Sequence, residues 1–279
     1  MPVQDNMVSP ARCRAPETRN ELVRFWDRCD LAAPPYWHPD DHLVLRRGNG
    51  RHIDDEPKTF DQYLVSPLFG DFEDHRLQLS LLPAPYLGNL ANADIIVLLL
   101  NPGLAFCDYY AEARVPRFRQ RLEMNLRQSF ERIDFPFHFL DPEFCWHGGF
   151  LWWERKLRSV ITTIADRKFN KSYLRALRDL SGRLACIELV PYHSQTFRSH
   201  ALINHLPSAR AARQFVHDVL VPAANNDERT IIVTRQVAAW RLPEGTLNPV
   251  VYRGGLTRGA SLGLSTPGGQ EILRRYGIV

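Results

Sequence analysis

Blocks of apolar residues bounded by polar turns predict the strands of this chain. Residues 95–100 form a continuous apolar run that ends at Asn-Pro-Gly, the pattern of a strand buried on both faces of a parallel sheet. Shorter apolar segments predict further strands at residues 184–190, 230–234 and 249–252. Pro191 ends the first of these segments, because proline cannot donate a hydrogen bond to a neighbouring strand.

Apolar residues spaced three and four apart predict helices around these strands. The predicted helices span residues 21–29, 117–130, 150–165, 172–180, 208–220 and 267–276. Parallel strands that alternate with helices of this length are joined by right-handed crossovers, which place helices on both faces of the sheet. We therefore expect an α/β fold, a three-layer α/β/α sandwich around a central, mostly parallel four-stranded sheet.

The chain before residue 83 lacks this regular pattern. Charged, aromatic and turn residues are mixed there without sustained periodicity, apart from the short helix predicted at residues 21–29. We expect residues 1–82 to form an irregular N-terminal extension that packs on the core. Residues 83–279 are expected to form the α/β domain itself.

The composition allows a well-filled core and a mildly basic surface. The 279-residue chain is 44% hydrophobic and 24% charged, which excludes wholesale disorder. Its formal charge of +4 permits contact with a polyanion but does not single one out. Basic residues crowd into residues 114–132 and 253–275, and each cluster is either a solvated face or a contact surface for an anionic partner.

The placement of the cysteines and the absence of nucleotide-binding motifs argue against several kinds of metal and cofactor site. The five cysteines are scattered and include no C-x-x-C pair, which argues against a disulfide framework and against a zinc or iron–sulfur site. The chain has no G-x-G-x-x-G and no Walker sequence, so a nucleotide cofactor lacks its phosphate cradle. We expect no cofactor and no metal. Because no apolar run could span a bilayer, we also expect a cytoplasmic monomer without a membrane partner.

The loops at the carboxyl ends of the strands are where a parallel sheet binds its ligands. The first of these loops begins with Asn101-Pro102-Gly103, directly after the buried strand. With the residues around it, at 98–104, this segment resembles the first active-site motif of the uracil-DNA glycosylase superfamily, especially the mismatch-specific uracil/thymine branch. In that branch the motif reads G-x-N-P-G. Here Leu99 replaces the first glycine, while the Asn-Pro-Gly part matches, and the order of elements over residues 83–279 is similar.

A carboxamide followed by proline and glycine suits the cleavage of a base from its sugar. That reaction develops an oxocarbenium ion on the sugar and negative charge on the leaving base. Asn101 is too weak a base to deprotonate water, but it can orient a water or bind a base edge. Pro102 and Gly103 fix its position, and Gly103 lets the backbone approach the ligand closely. The resemblance therefore implies a catalytic Asn101, with Pro102 and Gly103 in a base pocket.

Aromatic residues near this motif, and a short segment after the second strand, extend the predicted site. Phe106 and Tyr109 are candidates to stack on an extruded base, or else they pack under the following helix. We expect Tyr192 in the base pocket and Ser194 as a contact to DNA. His193 is predicted to donate a proton to the leaving base, and a structural role in the turn is the alternative.

The loop after the last strand departs from the family pattern. The resemblance would place there a His or Asn followed by Pro-Ser and a wedge residue, and these are absent. A glycine-rich basic stretch stands in their place, either to clamp phosphates and fill the vacated base stack or as a surface loop. Its predicted DNA-binding residues are Arg253, Gly254, Gly255, Leu256 and Arg258. This departure argues for a bulkier or modified base instead of uracil.

Competing functions follow from these features. The first is a monofunctional DNA glycosylase that takes a flipped, damaged or modified base, hydrolyses its N-glycosidic bond and leaves an abasic site without a lyase step. Its partner is DNA with such a base, and its role is repair or defence against modified foreign DNA. The second is a catalytically silent nucleic-acid-binding protein on the same fold. The third is a small-molecule α/β hydrolase in which Asn-Pro-Gly is only a turn.

Overall fold

A computed structural model describes residues 20–244, 249–254 and 259–279 of the chain. The strands, in chain order, are β1 (Ile53–Asp54), β2 (Leu77–Gln78), β3 (Tyr86–Leu87), β4 (Ile95–Leu99), β5 (Leu184–Glu188), β6 (Thr230–Val233) and β7 (Pro249–Val251). The helices are α1 (Glu21–Trp26), α2 (His42–Leu45), α3 (Phe60–Leu64), α4 (Asp108–Arg114), α5 (Pro116–Leu126), α6 (Gly148–Lys168), α7 (Tyr173–Arg183), α8 (Pro207–Phe215), α9 (Val221–Asn225), α10 (Val237–Trp240) and α11 (Pro267–Arg275). Of the predicted N-terminal extension, residues 1–19 lie outside the described part.

The central sheet has the strand order β3-β5-β4-β6-β7. β4 pairs in parallel with β5 on one side and with β6 on the other, and β7 pairs in parallel with β6. The prediction of an α/β fold with a mostly parallel sheet is therefore confirmed. Each of these parallel strands lies in a segment where the apolar pattern predicts one.

The sheet has five strands, so the predicted number of four was wrong. The additional strand is β3, in which Tyr86 and Leu87 pair antiparallel with Ile187 and Cys186 of β5. A strand of only two residues, with a proline directly before it, is too short to show any hydrophobic period. The spacing of apolar residues in the sequence therefore does not indicate this edge strand.

Side chains of β4 are buried on both faces of the sheet, since successive residues of a strand point in opposite directions. Ile96 and Leu98 belong to an apolar cluster that includes residues of α1, α8 and α9. Ile95 and Val97 belong to a second cluster, with residues of α6, α7 and α11. Helices thus contact both faces, and full burial of each such side chain contributes roughly 1.5–3 kcal/mol.

None of the helices in the described ranges combines the length and the apolar character that crossing a bilayer requires.

The helix predicted at residues 208–220 is interrupted. α8 gives way to a π-helical turn at Val216–Leu220, which leads into α9. Pro222 lies in the first turn of α9 and has no N–H, so the Asp218 carbonyl four residues earlier lacks its usual α-helical donor. The wider π turn accommodates this missing bond at the junction.

A buried hydrogen-bond network ties the segment before the sheet to the loop after β5. The Tyr192 hydroxyl donates to Asp41 Oδ2 at 2.6 Å and accepts from the His38 backbone N–H at 3.1 Å. Asp41 Oδ1 accepts from the Ser208 N–H, at the start of α8, at 2.9 Å. Because Tyr192 directly precedes His193, this network fixes the position of a loop that the sequence predicts to bind ligand.

Removing the Tyr192 hydroxyl tests how much this network stabilises the fold. Tyr192→Phe leaves the buried Asp41 carboxylate and the His38 N–H each without one partner. We expect the free energy of unfolding, measured by urea denaturation, to fall by about 1–3 kcal/mol. Tyr110→Phe is the matched control, because this side chain is exposed and its hydroxyl has no hydrogen bond within the described residues. Equal stability of the two variants would mean that the network contributes nothing.

Candidate functional site

A cavity of about 600 Å³ opens at the carboxyl ends of β4, β5 and β6. This is the edge at which open α/β sheets bind ligands, and small-ligand pockets commonly have roughly 300–1,000 Å³. Strand ends and the loops that follow them supply most of its polar side chains. The polar residues that matter below are Asn101, Asp108, Glu188, His193, Ser194 and Arg235.

Asn101 follows β4, and hydrogen bonds from its amide nitrogen orient its side chain. Nδ2 donates to the Pro102 carbonyl at 2.8 Å, to Ser194 Oγ at 2.9 Å and, at 3.5 Å, to the Tyr192 carbonyl. Because carbonyl oxygens only accept, Nδ2 must face these groups and Oδ1 must face away from them. No donor of the described residues bonds Oδ1, so this oxygen can accept from a water or a ligand in the cavity.

His193 faces the same cavity from the loop after β5. Its Nδ1 lies 2.8 Å from the Gly103 carbonyl, which places a proton on Nδ1. The neutral ring then presents Nε2 as a hydrogen-bond acceptor, and within the described chain no group bonds this atom. The predicted donation from His193 to the leaving base requires a second proton on the ring, whereas the neutral tautomer inferred from the Gly103 contact suits proton acceptance.

Glu188, the last residue of β5, is buried in the cavity wall. Its Oε2 has no hydrogen-bond partner among the described residues. Burial without a compensating donor disfavours the charged form, and it raises the pKa of Glu188 well above the usual range. A carboxyl group that stays protonated at neutral pH can serve as a general acid.

The sequence prediction missed Glu188, although the chain carries a signal for it. Glu188 is the charged residue at the end of the apolar strand Leu184–Glu188, which is buried along its whole length. An ionisable side chain in such a strand is costly to bury, and groups of this kind are concentrated at functional sites. The predicted catalytic residues come from loops that follow strands, whereas Glu188 lies within a strand.

Asp108, at the start of α4, joins the cavity to a buried cluster behind it. Asp108 Oδ1 lies 3.0 Å from His147 Nε2, and Oδ2 accepts from the Ala105 N–H at 2.7 Å. Ligand atoms of Cys107, Asp108 and His147 all lie within 4.8 Å of one another, as in a metal site. However, His147 Nδ1 accepts from the Gly149 N–H at 3.0 Å, so the neutral ring carries its proton on Nε2. Nε2 lies near Asp108 but does not form a hydrogen bond with it, and the cluster fits a contact between α4 and the start of α6 better than a metal centre.

The two loops predicted from the sequence meet at the cavity. Asn101, Pro102, Gly103, His193 and Ser194 all line it. Ser194, however, was predicted to contact DNA, whereas it is buried and its hydroxyl accepts from the Asn101 amide. We therefore assign Ser194 to the positioning of Asn101.

The predicted aromatic part of the base pocket lies elsewhere. Tyr109 is buried and donates to Gln78, and Tyr192 donates to Asp41 in the network described above. Phe106 is 44% exposed and is not part of the cavity wall. The placement of these aromatic side chains in the pocket is thus corrected, because residues before the sheet pack against α4 and provide buried partners that the local sequence does not reveal.

Other aromatic residues line the cavity instead. Phe139 precedes α6, and Trp152 and Trp153 lie in the second turn of that helix. Trp153 is buried, and it also forms part of the cavity wall. These rings supply the flat apolar surfaces against which a planar ligand can stack.

The loop after β7 is described only in part. Arg253 and Gly254 are exposed and do not line the cavity. The predicted DNA-binding residues Gly255, Leu256 and Arg258 lie outside the described residues.

No protein-family model, no curated protein and no solved structure matches this chain. The geometry of the cavity and the resemblance of residues 98–104 to the glycosylase motif are therefore the two features that indicate a function.

The stability of a Glu188→Gln variant tests the burial of this carboxyl group. The raised native pKa means that the folded protein keeps its proton to higher pH than the unfolded chain. Wild-type stability is therefore lost as pH rises from the unfolded value of about 4.3 toward the raised native value. Glutamine cannot ionise, so the variant should melt higher than wild type at pH 8, by roughly 2–4 °C for each kcal/mol removed.

At pH 3, more than one unit below the unfolded pKa of about 4.3, both states of the wild type hold the proton and the difference should disappear. Calorimetry at both pH values measures it, and Glu228→Gln, an exposed site, is the control. A melting temperature for Glu188→Gln that shows no pH-dependent gain over wild type would contradict the burial of an uncompensated carboxyl group.

Proposed function

We propose that this protein is a monofunctional DNA glycosylase, which hydrolyses the N-glycosidic bond of a nucleotide flipped into the cavity and leaves an abasic site. The observation that carries the proposal is the presence, in one cavity, of the buried carboxyl of Glu188 and the oriented carboxamide of Asn101. Bond cleavage at an anomeric carbon needs an acid on the leaving-group side and a positioned water on the other.

Glu188 is the proposed general acid. Burial raises the pKa of this carboxyl group and so favours its protonated form, which can pass a proton to the base as the bond between C1′ and the base nitrogen breaks. Protonation prevents the base from leaving as a free anion, which lowers the barrier to cleavage. Glu188 lines the cavity, and its Oε2 has no hydrogen-bond partner among the described residues, so a base that reaches the carboxyl group displaces no hydrogen bond of this atom.

Asn101 is proposed to orient the attacking water, and His193 is proposed to accept its proton. Asn101 Oδ1 accepts a hydrogen bond and orients the water toward C1′, while its Nδ2 is already held by acceptors on both loops. His193 Nε2 accepts the proton that the water loses as its oxygen bonds to C1′. The cycle closes when the imidazolium releases this proton and the Glu188 carboxylate takes one up from solvent.

The cavity walls support a planar heterocycle as the ligand. Phe139, Trp152 and Trp153 offer ring surfaces, and a volume of about 600 Å³ leaves room for substituents on the base. α6 also starts at the cavity, with Gly148 and Gly149 in its wall, so the positive end of a 21-residue helix faces the site of the leaving base.

Hydrolysis without strand cleavage is the expected outcome. A lyase step needs an amine that attacks the sugar, and no lysine is found among the described residues of the cavity wall. The product should then be an abasic site and the free base.

Substitutions at Asn101 and Glu188 test this function. The assay incubates the protein with DNAs that carry different damaged or modified bases, and measures released base and abasic sites by mass spectrometry. On a cleaved substrate, Glu188→Gln should lower the rate by about 10²–10⁴-fold, because the proton donor is lost. Asn101→Ala should lower it by about 10²-fold, because the water is no longer oriented. DNA affinity should change little in either variant.

Matched controls lie at the opposite end of the sheet. Asn92→Ala and Glu228→Gln remove the same functional groups from exposed turns before β4 and β6, and should leave the rate unchanged. DNA binding without release of any base would favour the silent nucleic-acid-binding protein. The absence of any salt-dependent DNA binding would instead favour a small-molecule hydrolase.

A further inference from the structure

Cationic side chains from two separate elements meet at one edge of the cavity. Arg235 lies just after β6 and lines the cavity. Lys156 lies on α6, with its Nζ 5.3 Å from the centroid of the Trp152 ring, which also lines the cavity. Arg155 is the exposed neighbour of Lys156 on the same helix. Positive charge thus borders the cavity at the side formed by α6 and the loop after β6.

The charges on α6 in this group are not neutralised by carboxylates of the described residues. Arg158, one turn further along α6, pairs with Glu154 at 2.6 Å, but neither Arg155 nor Lys156 forms an ion pair within the described ranges. The surroundings of Lys156 instead include like charges: burial and the charges of Arg235 and Arg155 lower the pKa of its ammonium group. An anion at this place would relieve that repulsion.

Lys156 also links α6 to the loop after β7. Its Nζ donates to the carbonyl of Gly259, the first residue described again after residue 254. Ala260, the next residue, belongs to the cavity wall. The cationic edge is therefore continuous with the cavity and not a separate patch on the surface.

We propose that Arg155, Lys156 and Arg235 form a phosphate-binding edge, which holds the backbone phosphates of the DNA strand whose nucleotide enters the cavity. The inference rests on the proposed function for its choice of DNA as the anion. Arginine offers a planar fork of donors that fits phosphate oxygens, and lysine supplies a compact charge. Such contacts position the strand without reading its sequence, so that the cavity alone selects the base.

The salt dependence of DNA binding tests this edge independently of catalysis. Binding of a fluorescent oligonucleotide duplex is measured by anisotropy at several salt concentrations, for the wild type and for the triple variant Arg155→Ala, Lys156→Ala, Arg235→Ala. Each lost phosphate contact should reduce the slope of log K against log salt by about 0.9, so the triple variant should lose roughly 2 to 3 units of slope.

Two further variants separate charge from structure. Arg167→Ala with Lys168→Ala removes basic residues from the far end of the same helix, and should leave the slope unchanged. Lys156→Arg keeps the charge next to Gly259 and should retain the wild-type slope. A slope that falls as much in the Arg167 and Lys168 control as in the triple variant would overturn the proposal.

The outcomes for the phosphate-binding edge and for the glycosylase are distinguishable. Loss of slope in the triple variant, with no base released from any DNA, supports the edge and rejects the glycosylase. Base release by the wild type, with an unchanged slope in the triple variant, rejects the edge and supports the glycosylase. A wild-type protein that binds no DNA at all rejects both.

Discussion

The parallel pairing of β4 on both of its sides is the constraint on which the site depends. β5 and β6 each align with β4 in the same direction, so their carboxyl ends come together at one edge. The first four residues of β4 are buried between helices on both faces, which holds the strand in place up to the point where the chain leaves the sheet. Asn101, Glu188 and Arg235 lie at or just beyond these ends, although they are far apart in sequence. Strand alignment, and not local sequence, assembles the cavity.

The elements that could be predicted from the sequence are those in which apolar residues form a continuous run or recur at a regular spacing. β4 is a strand buried on both faces and is evident as an uninterrupted apolar run, and α6 repeats its apolar residues over many turns. β3 has only two residues, and its existence depends on its pairing with β5. The π turn before α9 depends on one proline within an otherwise helical stretch. A strand that depends on its partner strand, or a π turn that depends on one missing N–H donor, produces no regular spacing of apolar residues in the sequence.

The site was predictable only where chemistry and local sequence coincide. Asn101 and His193 stand in loops directly after strands, and such positions are identified from the apolar runs before them. Tyr109 also lies close to the motif in sequence, but its side chain contacts Gln78 and Tyr63 instead of the cavity. Both partners come from a segment in which apolar residues have no regular spacing. Glu188 shows the opposite case, since its Oε2 has no hydrogen-bond partner among the described residues, and only a three-dimensional structure can show this.

The hydrogen bonds between the loop after β4 and the loop after β5 have a consequence for how this protein can diversify. Asn101 bonds Ser194, and His193 bonds Gly103, so each loop holds a cavity-lining side chain of the other. A substitution in one loop disturbs both, which makes this half of the cavity resistant to evolutionary change. Another part of the wall is formed by Trp152 and Phe139, whose side chains make ring contacts and, within the described residues, no hydrogen bond to either of these loops. New ligand preferences should therefore arise by exchange of aromatic residues on that wall, while the polar half is inherited intact.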